Sequence, residues 1–233
     1  LSTHVDKIIT EKKNGKTHVK GVALKNGTCL SAPIVISNAT IWDTYNHLLS
    51  PTDVPAGNLT KALDMPVVDS FMHLHLGIRA EGLEEIAIHH VVVHDDDAAI
   101  TTPGNTCMVS IPTVLDPQQA PSGYHTVHAY TLEPYDEWAQ WEKKGSKDEV
   151  YEQKKREKAE TLFRAVEKII PDVRSRIELE MIGTPLTHSR FLRRHKGTYG
   201  PAIAAKEGRF PGGTTPITGP KRVGDSHLPG LVV

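Results

Sequence analysis

Cysteine is scarce in this chain of 233 residues, which contains only Cys29 and Cys107. Two cysteines without a Cys-x-x-Cys pair argue against a disulfide framework or a zinc site and favour a reducing compartment. Long apolar runs are also missing, and none approaches the roughly 20 residues that a transmembrane helix needs. The sequence therefore allows peripheral contact with a membrane and excludes a membrane-spanning helix within these residues.

Excess charge of either sign is missing as well, because the net charge is -1 with 24% charged and 38% hydrophobic residues. This balance is ordinary for a globular protein of one large domain or two small ones. Basic residues do cluster between Arg190 and Lys196, but Phe191 is the only aromatic among them. We interpret the cluster as a solvated surface and predict no nucleic-acid partner.

The chain has no Gly-x-Gly-x-x-Gly, so it lacks the strand, glycine turn and helix that hold the pyrophosphate of a dinucleotide. It begins at Leu1 without methionine and enters a predicted strand almost at once, with no leader-like segment. We interpret it as a fragment, with any targeting peptide upstream.

The N-terminal residues predict a β-meander. Val5 to about Lys12 reads as a strand, Asn14-Gly15 as a tight hairpin turn, and Thr17 to Lys25 as the returning strand. Asn26-Gly27 repeats the turn, and Ile34-Val-Ile36 then resembles a strand buried on both faces. A meander that leads into a buried strand is typical of an α/β protein.

Asn38-Ala-Thr40 follows that strand, at the end where open α/β sheets bind ligands. The alternative interpretation is an Asx turn that starts a helix.

The middle of the chain contains several strand patterns, with His73 and His75 on one strand face. His90 and His94, followed by three aspartates, raise the question of a metal site, but the intervening valines favour a strand and the aspartates a solvated turn. We predict no metal. Trp138 and Trp141 fit core packing better than stacking on a ligand.

The clearest helix begins at Ser146, which forms a Ser-x-x-Glu capping box with Glu149. Its exposed face carries the pairs Glu152–Arg156 and Glu160–Arg164, and Pro171 ends it. The predicted buried stripe consists of Ala159, Leu162, Phe163, Val166, Ile169 and Ile170. A strand from Ile177 to Ile182 follows, and Gly208 to Pro220 reads as a loop.

Gly224-Asp225-Ser226 is the strongest cofactor signal near the C-terminus. Glycine before an acidic residue lets the backbone approach a ligand and points a carboxylate at ribityl or ribose hydroxyls. By composition alone, Gly-Asp also marks ordinary turns.

Two longer stretches carry a family resemblance. They are Gly183-Thr-Pro-Leu-Thr-His-Ser-Arg-Phe-Leu-Arg-Arg-His-Lys-Gly-Thr-Tyr-Gly-Pro201 and Gly224-Asp-Ser-His-Leu-Pro-Gly230. Together with Val35-Ile-Ser-Asn-Ala-Thr-Ile-Trp-Asp-Thr44, they resemble the C-terminal part of plant and algal carotenoid isomerases. These are phytoene-desaturase-like enzymes of the FAD-dependent amine oxidase superfamily. The likeness runs from about Val5 to Gly230, although Pro220-Lys-Arg-Val223 replaces an apolar strand and Val232 an expected glycine.

The resemblance implies an α/β fold in which part of a Rossmann-like, glutathione-reductase-type FAD-binding domain is interrupted by a mixed-sheet α+β substrate domain. Residues 1–45 and 208–233 would belong to the FAD-binding domain and residues 46–207 to the substrate-binding domain. It implies FAD contacts from Val5, through its backbone to adenine, and from Gly224, Asp225 and Gly230. Catalytic residues remain unassigned.

The implied activity is flavin-dependent cis-trans isomerisation of poly-cis carotenoids at a plastid membrane, with peripheral membrane contact. Desaturation or saturation of carotenoids by the same superfamily is the alternative. A third interpretation is a non-catalytic piece that serves as a structural partner in a pigment or photosynthetic membrane assembly.

Overall fold

The computed structural model describes residues 2–54, 56–142, 148–201 and 226–233. The chain divides into two compact units. Unit 1 comprises residues 1–68, 193–195 and 199–233, and unit 2 comprises residues 69–192 and 196–198. Helices and sheets occur in both units, so the chain is a mixed α and β structure.

Unit 1 begins with the predicted meander, in which β1 (Val5–Lys13), β2 (Lys16–Leu24) and β3 (Cys29–Ser31) pair antiparallel in that order. The turn between β1 and β2 places Asn14 at φ 53° and Gly15 at φ 74°. Two consecutive positive φ angles fit the right-handed twist of a two-residue hairpin, and Asn-Gly tolerates them best. The meander prediction is therefore confirmed.

The short strand after the meander differs from the prediction. β4 (Val35–Ile36) pairs in parallel with β10 (Leu231–Val232), and the flanking Ile34 and Ile36 are 62% and 75% exposed. The prediction of a strand buried on both faces was therefore wrong for the part of the chain that the structure describes. The reason is that only one face of this strand is covered: Val35 packs against the core of unit 1, whereas Ile34 and Ile36 on either side of it are exposed.

A helix does begin after Asn38-Ala39, as the turn interpretation predicts. Thr40, rather than Asn38, is the N-cap of α1 (Ile41–Asp43), because its side chain accepts a hydrogen bond of 3.1 Å from the Asp43 backbone N–H. The chain continues as a π-helical turn over Thr44–Leu48 and, after a short connection, as α2 (Ala56–Leu63). The core of unit 1 consists of Ile8, Val19, Tyr45, Leu49, Val54, Ala62, Leu228 and Leu231.

Unit 2 is organised around one five-stranded sheet in the order β6-β7-β8-β5-β9. The strands are β5 (Ser70–Arg79), β6 (His89–Val93), β7 (Thr106–Ser110), β8 (Tyr124–Glu133) and β9 (Ile177–Gly183). All four neighbouring pairs are antiparallel, so the expectation of a mixed sheet is corrected. Antiparallel sheets need only one covered face, whereas parallel strands are normally buried on both.

The covered face packs against α3 (Glu149–Glu167), which buries Tyr151, Ala159, Leu162, Phe163, Ala165 and Val166. The N-cap is Asp148, whose carboxylate accepts from the backbone N–H groups of Val150 and Tyr151. The predicted start at Ser146 is therefore corrected, since an Asp two residues later satisfies the first amides; Ser146 itself lies outside the described residues.

The exposed ion pairs of α3 also differ from the prediction. Glu152 pairs with Lys155 at 3.2 Å, and Glu160 pairs with Arg174 at 2.8 Å instead of with Arg164. Arg174 lies on α4 (Val173–Arg176), which the packing of α3 brings within reach. Sequence spacing finds partners within one helix and misses those on a neighbouring element.

The tryptophans belong to the core of unit 2, as predicted: Trp138 is fully buried and Trp141 is 6% exposed. The Trp138 indole N–H donates to the buried carboxylate of Glu133 at 2.9 Å, and Lys158 approaches the same carboxylate at 3.1 Å. The last helix is α5 (Pro185–Leu192). Among the described residues, no helix has both the length and the apolar character needed to cross a bilayer.

Candidate functional site

The face of the unit 2 sheet opposite α3 is the candidate functional site, and we call it the open face. Successive side chains along β5 point to opposite faces of the sheet, and the buried Met72, Leu74 and Leu76 point into the core. His73 and His75 then lie on the open face. The predicted placement of these two histidines on one face is confirmed.

The neighbouring strand β8 adds more rings to the open face. His128 lies directly opposite His75 and Tyr130 opposite His73 in the antiparallel register. The His75 and His128 rings are stacked at a centroid distance of 4.3 Å and an angle of 4°. His73 Nδ1 and His128 Nε2 are 2.7 Å apart and share a hydrogen bond, so one ring donates and the other accepts.

These imidazoles are held in their neutral form. Burial, followed by repulsion from the nearby His188, His128 and His75, lowers the pKa of His73 to about 3. Burial, with His75 and His188, likewise lowers the pKa of His128 to about 4. Burial also lowers the pKa of His75. At neutral pH the centre of the open face therefore carries rings without charge.

Apolar side chains flank this row of rings. Met181 on β9 lies opposite His75, and Leu179 lies opposite Gly77; each is 56% exposed. At the opposite edge of the sheet, Val91 on β6 also lies on the open face and is 61% exposed. The open face therefore offers aromatic rings and aliphatic groups to a ligand, with no aspartate or glutamate among these seven positions.

The structure describes two of the four residues that the resemblance assigned to FAD. Val5 begins β1, the edge strand of the meander, where the backbone groups on the outer side are not used by the β1–β2 ladder. Gly230 has φ 88°, and a Cβ there would lie 2.5 Å from the Pro33 carbonyl oxygen. Its own carbonyl accepts from the Val35 N–H at 2.8 Å. Gly224 and Asp225 lie outside the described residues.

These observations fit one part of an FAD site. The outer edge of β1 at Val5 has the backbone groups that recognition of adenine requires. Gly230, in contrast, uses its close backbone approach to contact Pro33 within the protein. The pyrophosphate-binding turn is not in the printed sequence, so Val5 is the residue whose described surroundings suit the cofactor.

His128 and Tyr130 were not singled out from the sequence, although the alternation of β5 already placed His73 and His75 on one face. The missing information was the register of β5 against β8, which decides which residue lies opposite His75. Alternation within β8 indicates that His128 and Tyr130 share a face, and this is the signal that could have found them. His90 and His94, by comparison, bond to the carbonyls of Ala87 and Thr161.

Comparison with known proteins shows what the chain as a whole is similar to. No family model matches the chain. The chain is 38% identical to the chloroplastic prolycopene isomerase of Daucus carota, with 97% of this chain and 36% of that protein covered. It is 37% identical to chloroplastic prolycopene isomerase 2 of an Oncidium hybrid cultivar, with 94% and 37% covered. The predicted resemblance to the carotenoid isomerases is thereby confirmed, and in sequence the chain is a relative of these proteins.

More remote similarity extends to another enzyme. The all-trans-retinol 13,14-reductase of Rattus norvegicus is 28% identical, with 77% of this chain and 34% of that protein covered. A solved oxidoreductase from Methanosarcina mazei is 18% identical, with 77% of this chain and 36% of that chain covered at a TM-score of 0.47, too remote to assign the fold in detail. The chain spans 36–37% of the length of the prolycopene isomerases described above.

Proposed function

We propose that this chain is part of an FAD-dependent carotenoid isomerase that converts poly-cis carotenoids of the prolycopene type into all-trans-lycopene. The observation that carries the proposal is the identity of 37–38% to prolycopene isomerases over 94–97% of the chain. Those relatives are chloroplastic, and we propose a plastid setting with peripheral membrane contact. An apolar tetraterpene resides in a bilayer, so an enzyme that takes it up benefits from lying at the membrane surface.

We further propose that residues 46–207 form the substrate-binding domain and that the open face contacts the polyene. Neutral imidazoles and the ring of Tyr130 suit a conjugated hydrocarbon, because their π-faces provide contact area without a charge that must be desolvated. Leu179 and Met181 extend the apolar surface on β9. These residues would bind and orient the substrate; no acid or base is assigned.

FAD would be held by residues 1–45 and 208–233, through the backbone of Val5 and through Gly224, Asp225 and Gly230. Bound in its reduced form, FAD would supply electron density or a proton to the polyene and take it back after rotation about the weakened double bond, so that no net redox change results. In this proposal the part played by the chain is to bind both molecules and to exclude water from the polyene.

The test is to express the complete reading frame that contains these residues in cells that accumulate poly-cis lycopene, and to analyse the pigments by chromatography and mass spectrometry. We expect all-trans-lycopene of unchanged mass. A product that has lost or gained two hydrogens would favour a desaturase or a saturase, and the likeness to a retinol reductase makes saturation the second candidate. Unchanged pigment from a flavin-loaded protein would contradict both and favour a structural partner.

A further inference from the structure

The histidines of the open face, which the proposed function uses only as neutral rings, also form a group of metal-ligand side chains. His73, His75 and His128 each offer one ring nitrogen, and these three nitrogens lie within 4.8 Å of one another. His73 is 5% exposed, His128 is half-buried and His75 is exposed. The group therefore extends from the sheet surface to the solvent.

The sheet holds these ligands in place. His73 and His75 are two residues apart on β5, and His128 lies opposite His75 on β8. Both strands are interior in the sheet, with hydrogen-bonded neighbours on each side. A site on paired interior strands loses little conformational freedom when an ion binds, because the backbone positions of its ligands are already fixed.

We propose that His73, His75 and His128 bind one divalent transition-metal ion of the Zn²⁺ type, each through one ring nitrogen, with the fourth position open to solvent beside His75. Imidazole nitrogen suits Zn²⁺, Cu²⁺ and Ni²⁺, whereas Ca²⁺ and Mg²⁺ prefer oxygen ligands. Three histidines with one open position are a ligand set in which zinc keeps a water or substrate molecule. The proposal does not depend on the carotenoid activity, although an ion bound at these rings would compete with a polyene for the same surface.

The three ring nitrogens lie within 4.8 Å of one another, so side-chain rotation must gather them around an ion. Zinc–nitrogen distances of 2.0–2.1 Å in a tetrahedral site put ligand nitrogens about 3.3 Å apart. His73 Nδ1 and His128 Nε2 are 2.7 Å apart, with a proton between them. An ion would take the place of this proton, which would move to the other nitrogen of the donor ring. The gap would have to widen by roughly half an ångström, and the His75 ring, now stacked on His128, would have to turn its nitrogen towards the ion.

The experiment is a titration of the purified chain with Co²⁺ after treatment with chelator. Tetrahedral Co²⁺ gives intense visible absorption bands, and Zn²⁺ should displace it at one equivalent. We expect His75→Asn and His128→Asn each to weaken Co²⁺ binding by more than the roughly 10–100-fold that loss of an outer-shell partner costs. His75 is exposed, so its variant should fold; circular dichroism checks both.

His89→Asn is the matched control. His89 is an exposed histidine on the edge strand β6. It lies opposite Ser110 on β7, which lies opposite His128, so His89 belongs to the same cross-strand row of the open face as His128 and His75. The sequence contains 13 histidines in all, so the control tests whether any exposed histidine would serve. It should bind Co²⁺ like the parent chain. Absence of tetrahedral bands in the parent chain would overturn the proposal. So would bands that persist in both variants, or bands that His89→Asn removes equally.

Discussion

At the scale of single residues, the chemistry of unit 2 depends on burial. His73 and His128 stay neutral because the sheet excludes water from them and places further imidazoles beside them. Glu133 is also buried, but it has an oppositely charged partner in Lys158 and a hydrogen-bond donor in the Trp138 indole. The sequence gives no sign of this difference, because burial and partners both come from the tertiary structure.

The neutral histidines predict a pH dependence of stability in protein kept free of metal by chelator. The pKa of His73 falls from 6.5 to about 3 on folding, and that of His128 to about 4. The unfolded chain therefore binds more protons between these values. Stability is fully present above about pH 6.5 and falls as the pH drops towards 4, with a limit of about 1.4 kcal/mol per pH unit for each histidine.

Urea unfolding of unit 2, followed by Trp138 and Trp141 fluorescence between neutral and mildly acidic pH, measures this slope. His128→Leu should reduce the slope, whereas His89→Leu on the exposed edge strand should retain it. A parent chain with the same slope as His128→Leu would contradict the assignment.

The two thiols are expected to differ in reactivity. Cys29 is exposed on β3, whereas Cys107 is fully buried on β7, and burial raises the pKa of its thiol. Since the thiolate is the reactive form, the folded chain should react with one equivalent of a thiol reagent and the denatured chain with two. Cys29→Ser should leave no rapidly reacting thiol in the folded state. Two fast equivalents in the folded parent chain would show that β7 is accessible.

At the scale of elements, strong local signals predicted what the structure contains. The Asn14-Gly15 hairpin, the strand that contains His73 and His75, and the long amphipathic helix could all be found from turn chemistry and periodicity. Three features could not be found in this way, because each depends on which element lies alongside: the exposure of Ile34 and Ile36, the antiparallel pairing of the sheet, and the partner of Glu160. Only part of the candidate site was predictable for the same reason: His73 and His75 share a strand, whereas His128 required the register.

The start of α3 provides an element-scale test. Asp148 caps the helix in the structure, whereas the Ser-x-x-Glu pattern assigns the cap to Ser146. Asp148→Ala should lower the free energy of unfolding by about 1 kcal/mol, because two backbone amides lose their acceptor and the helix dipole loses a carboxylate at its positive end. Ser146→Ala is the matched comparison and should change stability by less. Chemical denaturation measures both, and the reverse order would restore the capping box.

At the scale of the whole molecule, the FAD assignment remains a prediction about residues on either side of the substrate region. In the proposed complete enzyme, a ribityl hydroxyl donates a hydrogen bond to the Asp225 carboxylate, and loss of this bond would cost about 1.5–3 kcal/mol. Asp225→Ala should therefore weaken flavin affinity by roughly one to two powers of ten, measured by fluorescence titration of the apoprotein. The printed chain lacks the phosphate-binding turn and should leave a desalting column without yellow colour. Unchanged affinity in the variant would remove Asp225 from the site.

The open face gives the corresponding prediction for substrate. Met181→Glu places a carboxylate beside His75, where a bound polyene would have to desolvate it, so KM for the poly-cis substrate should rise at least several-fold in the complete enzyme. Met181 is 56% exposed, so the substitution should hardly affect folding. Val150→Glu is the control, because Val150 is 63% exposed on α3, against the other face of the sheet. Flavin content should be unchanged in both variants. If both raise KM equally, or neither does, the polyene binds elsewhere.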